Sequence, residues 1–150
     1  MTPYRNNAII SILESGVNRD FTIEYVVLPN GRVPAREFVD SLDDKAAARI
    51  DAFIQRLGVY GNQMQGKFAK KLTNDIFELR VKQFDRIFRV LYFYHPGMLI
   101  IITSGFQKKT QQTPPTEIAR AEKLRKLWIR FRNRYIGSEG QIAAILKELD

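Results

Sequence analysis

The sequence contains no cysteine and a single histidine. Without thiols there can be no disulfide and no thiolate metal site, so the fold must rest on its apolar core, and a reducing cytoplasm is the expected setting. Long apolar runs are missing as well. The longest are Val90 to Tyr94 and Leu99 to Ile102, far short of the roughly 18 to 20 residues of a membrane span. The stretch Ala8 to Leu13, ended by Glu14, is too short for the apolar region of a secretory signal. No membrane partner is therefore expected. Internal repeats, low-complexity tracts and linkers are also absent, which leaves one α+β domain with a helical C-terminal extension.

Charge is abundant, and it is unevenly placed. The net charge is +8, but residues 1–66 carry −1, residues 67–134 carry +11 and residues 135–150 carry −2. A basic block of this kind attracts polyanions and supplies phosphate affinity without regard to sequence, so nucleic acid or an acidic protein is the expected partner.

Apolar periodicity gives the elements. Phe21, Ile23, Tyr25 and Val27 alternate along a first strand, which Pro29-Asn30-Gly31 ends. Pro34 opens a short helix carrying Phe38 and Leu42. A longer one follows Asp43-Asp44 with Ile50, Phe53, Ile54 and Leu57 on one face, ending at Gly58 and Gly61. Three strands come next, Ile76 to Lys82, Ile87 to Tyr94 and Leu99 to Phe106, and their short loops predict an antiparallel meander. Thr113 is the expected N-cap of a helix with Pro114 in its first turn, buried along residues 121, 124, 128, 131 and 135. Gly137 and Gly140 are expected to break it before a last helix bearing Ile142, Ile145, Leu146 and Leu149. That last helix is expected to dock on its own domain.

Register follows from the alternation. Phe77, Leu79 and Val81 must lie beside Tyr92, Val90 and Phe88, which places Arg80 opposite Arg89; a one-residue slip would put Arg89 in the core. Two arginines across a strand pair repel unless something anionic lies between them. They are expected on an open, charged face.

The run Ile76-Phe77-Glu78-Leu79-Arg80, then Arg86 to Phe93, then Gly105-Phe106-Gln107-Lys108-Lys109-Thr110-Gln111-Gln112-Thr113-Pro114 and a helix opening Glu117-Ile118-Ala119-Arg120-Ala121 resembles the phage-derived HigB-like branch of the RelE toxin superfamily. The resemblance covers roughly residues 21 to 130, and Phe-x-Lys-Lys-Thr-x-x-Thr-Pro is its most specific part. It implies a helical hairpin and a C-terminal helix packed on a small, mostly antiparallel sheet. The chain is accordingly expected to divide into an N-terminal extension over 1–20, a toxin domain over 21–136 and, beyond the resemblance, an amphipathic extension over 137–150. The resemblance also implies the toxin of a type II toxin-antitoxin pair, an endoribonuclease that enters the 70S ribosomal A site and cuts messenger RNA there. No metal or other cofactor is implied. The implied partners are messenger and ribosomal RNA and a small helix-turn-helix antitoxin, with a homo-oligomer or a heterotetramer with the antitoxin left open.

Cleaving RNA through its own 2′-hydroxyl needs a base, an acid and cations for the phosphorane. By resemblance, Arg80, Arg89, Lys108 and Lys109 are the catalytic cations. Glu78, on the same face as Arg80, is the sole carboxylate able to take the 2′-proton. His95 reads as an exposed turn residue. A lysine would serve as acid or base if its pKa fell, and crowding by Arg80 and Arg89 pushes Lys108 or Lys109 that way. RNA binding is assigned to Lys67, Lys70, Lys71, Lys82, Arg86 and Gln107, to Phe106 as a stacking platform, and to a basic ridge of Lys123, Lys126, Arg130 and Arg134. Two further readings remain open: a non-enzymatic inhibitor of the gyrase-poisoning type on the same fold, and a phage-derived nucleic-acid-binding accessory protein.

Overall fold

The computed structural model describes residues 20–149, with side chains to residue 133. The described elements are β1 (Thr22–Tyr25), α1 (Pro34–Asp40), α2 (Asp44–Tyr60), a 3-10 turn (Gly61–Met64), β2 (Ala69–Lys71), β3 (Phe77–Gln83), β4 (Arg86–His95), β5 (Leu99–Gln107) and α3 (Pro115–Leu149). The strands form one sheet in the order β1-β5-β4-β3-β2. β1 runs parallel to β5, and the other neighbours are antiparallel.

The expected meander and register are present, with Leu79 opposite Val90 and Arg80 opposite Arg89. The short edge strand β2 has no counterpart in the sequence reading. A bulge in β5 follows the pair Leu91–Ser104: Tyr92 pairs with Ile102, and Thr103 between them donates its hydroxyl to the Leu91 carbonyl at 3.0 Å. The added residue restores Ile101 and Leu99 to the face of Phe93 and increases the local twist.

Both faces of the sheet are covered. On one, Ile50, Phe53, Ile54 and Leu57 of α2 and Val39 of α1 pack over Leu79, Val81, Phe88, Val90 and Tyr92. α2 begins at Asp43, whose side chain accepts from the Ala46 amide. It runs through Gly58 and ends at Gly61 (φ +51), where a Cβ would lie 2.5 Å from the Phe21 ring. In β5, Gly105 leaves room for Phe38 of α1, which a Cβ there would meet at 2.5 Å. On the other face, Ala121, Leu124 and Trp128 of α3 pack over Leu91, Phe93, Leu99 and Ile101.

α3 departs from expectation at both ends. The Pro114 carbonyl accepts from the amides of Glu117 and Ile118, so Pro114 is the capping position and the Thr113 hydroxyl is free for other work. The helix then continues through Gly137 and Gly140 to Leu149, with no break between it and a last helix. An interior glycine costs about 1 kcal/mol relative to alanine, which a helix already nucleated by tertiary packing tolerates. The expected docking of Ile142, Ile145, Leu146 and Leu149 lies outside the described side chains, and the N-terminal extension lies almost wholly outside the described residues.

Candidate active site

On the face that carries α3, strand alternation places Glu78, Arg80 and Lys82 of β3 beside Ile87, Arg89 and Leu91 of β4. α3 covers the Leu91 end. The chain from Lys108 to Thr113 crosses the other end, and its first residue extends the sheet by donating its amide to the Ile87 carbonyl at 2.7 Å.

Under that crossing, Glu78 and Arg89 are 1% and 2% exposed. Arg89 Nη1 donates to Glu78 Oε1, and the Thr113 hydroxyl donates to Glu78 Oε2. Arg89 also reaches Thr113 Oγ1 through Nη1 and the Gln111 carbonyl through Nη2, each at 3.4 Å. The loop is thus fastened to a buried ion pair. This corrects the expectation of an open face on which Arg89 waits for an external anion. A guanidinium this deeply buried needs an internal counter-charge, and Glu78 supplies it.

The other expected cations remain accessible. Arg80 and Lys109 are exposed, and Lys108 is half-buried, with its ammonium donating to Gln111 Oε1 at 3.4 Å. Lys108 is held below the usual lysine range, first by partial desolvation and then by the charges of Arg89 and Arg80, with Glu78 opposing. Lys70 of β2 lies opposite Glu78. Over this strand pair a cleft of about 240 Å³ is lined by Lys67, Lys70, Lys71, Arg80 and Glu78, with Gly66 and Phe68 in its wall.

Three other candidates, Arg86, Gln107 and Phe106, stand apart from the centre. Arg86 is tied to Asp43 at 2.7 Å and to Gln83 Oε1 at 2.6 Å. Gln107 pairs with Phe88 and so belongs to the opposite face of the sheet. Phe106 packs against the apolar cluster beneath α3 and does not stand free as a stacking platform. Lys71, although it lines the cleft, pairs with Phe77 and so belongs to the opposite face of the sheet from Glu78 and Arg80. His95 is not an exposed turn residue: it ends β4, and its ring lies edge-on to Trp128 at 4.8 Å. Burial, with help from Arg132 and Arg125 against Glu24, lowers its pKa. Lys82, Lys123, Lys126 and Arg130 are exposed, and the side chain of Arg134 lies outside the described ones.

Thr113 and Gln111 were missed as site residues. The signal was the Pro114-Pro115 pair. Proline favours the first helical position, and assigning that position to Pro115 frees Thr113 from capping.

Residues 37–126 match the model of the family described as phage-derived protein Gp49-like (DUF891). Two relatives, each named "Probable endoribonuclease HigB1" and each from a strain of Mycobacterium tuberculosis, are 36% identical to this chain over 104 residues, covering 67% of it and 78% of the relative. The family match takes in the ion pair, the cleft and the whole loop from Lys108 to Thr113. The chain belongs to the phage-derived Gp49-like family, which is a family of RelE/HigB-like toxins.

Proposed function

We propose that the chain is the toxin of a type II toxin-antitoxin pair and an endoribonuclease that cuts messenger RNA on the ribosome. The observation that carries this reading is the placement of Arg80 and Lys108 beside the buried Glu78–Arg89 pair, next to a cleft edged by Lys67 and Lys70. The relatives' name supplies the reaction class. In this reading the cleavage needs no metal. The 2′-oxygen attacks phosphorus, the bond to the 5′-oxygen breaks, and the products are a 2′,3′-cyclic phosphate and a 5′-hydroxyl. Arg80 and Lys109 face the phosphate and offset the charge of the phosphorane. Both Glu78 oxygens are engaged by Arg89 and Thr113, so Glu78 holds the centre together, and Lys108, with its lowered pKa, is the group suited to move a proton. The protein acts in the cytoplasm and is held inactive by a helix-turn-helix antitoxin.

The test is a cell-free translation reaction with the full chain, followed by mapping of message 5′ ends. Arrest with new 5′-hydroxyl ends that appear only when ribosomes are present supports the reading. Arrest with an intact message refutes cleavage and favours the non-enzymatic inhibitor.

A further inference from the structure

The loop between β3 and β4 consists of Phe84 and Asp85. Phe84 has φ +53, at a hairpin position that favours glycine or asparagine because a larger side chain crowds the backbone. The residue is 79% exposed. Neither turn geometry nor core packing accounts for a phenylalanine here, and an unexplained strained residue points toward function.

Beside the ring is a shallow pocket of about 420 Å³ lined by Lys45, Arg49, Lys82, Gln83 and Phe84. Arg49 is fixed in its wall, since its Nε donates to the Lys82 carbonyl and its guanidinium lies 5.2 Å from the Phe53 ring centre. Of the acids nearby in the chain, Asp43 at the α2 cap is already paired with Arg86, while Asp44 and Asp85 are exposed. Lys82 shares a face with Arg80 and lies about 7 Å further along the strand. The pocket therefore continues the basic track of the candidate active site around the hairpin tip.

We propose that this tip is a second RNA-binding site, in which Phe84 stacks on one unpaired base while Lys45, Arg49 and Lys82 hold the neighbouring phosphates. A single exposed ring set among cations suits a nucleotide, with its flat base and charged backbone, better than the apolar surface of a protein partner. The proposal rests on the reading of the chain as an RNA-directed toxin. The unpaired nucleotide belongs either to the message or to ribosomal RNA, and both present the same chemistry.

The experiment measures affinity of the full chain for a fluorescein-labelled, unstructured 20-nucleotide RNA and, separately, for purified 70S ribosomes. It compares wild type, Phe84→Ala, Phe84→Trp and Lys45→Ala/Lys82→Ala, with Arg80→Ala as a variant of the first site. Phe84→Ala is expected to weaken binding about tenfold or more without lowering the melting temperature. Phe84→Trp should restore it, with an indole fluorescence change on binding. The double lysine variant should flatten the dependence of log affinity on log salt by about 0.7 for each phosphate left without its lysine. Weaker binding to the oligonucleotide assigns the message as the source of the base, and weaker binding to ribosomes alone assigns ribosomal RNA. Wild-type affinity of Phe84→Ala for both probes overturns the tip site, and if Arg80→Ala is impaired in the same assay, the proposed function stands. A wild-type protein that binds neither probe overturns both.

Discussion

The sheet face beneath α3 is divided into two halves with opposite chemistry. At one end Leu91, Phe93 and Ile101 meet Leu124 and Trp128, apolar groups held together by burial at about 1.5 to 3 kcal/mol per large side chain. At the other end β3 and β4 carry Glu78 and Arg89, equally buried, and the cover is a loop instead of a helix. The apolar half tolerates approximate partners so long as volume is kept. The polar half does not, because each buried charge depends on one named partner. One half fixes α3, and the other holds the loop that carries Lys108 and Lys109.

Removing a partner from the polar half is expected to have the largest effect. Arg89→Ala leaves Glu78 buried without a counter-charge and should cost about 3 to 5 kcal/mol of stability, read by urea denaturation. A drop below about 1 kcal/mol, the scale of an exposed pair, would show that the loop opens and hydrates Glu78 in the free protein. Loss of activity in this variant would therefore report unfolding as much as chemistry. In the apolar half, Phe93→Ala should cost a comparable amount, about 3 to 5 kcal/mol, through its cavity. Cutting per folded molecule should nevertheless stay at the wild-type level, because Phe93 packs into the apolar cluster against Trp128. Reduced cutting per folded molecule would break the division between the halves.

A smaller effect is expected at the hinge between loop and ion pair. Thr113→Val keeps the shape of the side chain but leaves Glu78 Oε2 without its donor, which should cost about 1 to 3 kcal/mol. Hydrogen exchange at the amides of residues 108–113 should accelerate in this variant. If Thr113 were only a helix cap, the change would fall on α3 instead.

Much of this division was legible in the strands themselves. Alternation in Phe77 to Lys82 fixes the register against Val90 and Phe88, and with it the pairing of Arg80 with Arg89. The uninterrupted run Val90 to Tyr94 carried further information, since apolar residues on both faces require cover on both faces. That run rules out a wholly open face beside Arg89 and foretells α3 above Leu91 and Phe93. Periodicity could not give the diagonal reach of Arg89 to Glu78, because both residues sit at positions where an exposed charge is equally consistent with the pattern. The loop was legible as a motif but not as a lid. It is fastened by Thr113 to Glu78, residues far apart in the chain, and no local rule links them.

Arg80→Ala should have a slight effect on stability, within about 0.5 kcal/mol, because the side chain is exposed. It is thus the cleanest probe of the charged centre. Folding should be unchanged while cutting on the ribosome falls by about 10²-fold or more, the scale of removing one electrostatic interaction with the transition state. Activity equal to wild type would move the centre away from Arg80.

The smallest effect on stability, and the most specific one, concerns Lys108. Its pKa in the fold lies below the ordinary lysine value of 10.5, through partial desolvation and the charges of Arg89 and Arg80. Between the folded pKa and 10.5 the unfolded chain binds more protons at this site than the folded one, so the site's contribution to stability rises with pH across that window. Replacement by methionine removes the titration. Wild type should therefore gain stability relative to Lys108→Met as pH rises toward 10.5, whereas a parallel pair of curves would mean that Lys108 titrates as it does in water. The same group should set one limb of the pH dependence of cutting, and that limb should vanish in Lys108→Met while it persists in Lys109→Met. If both lysine variants keep the wild-type profile, proton transfer belongs to another residue, and the loop contributes charge alone.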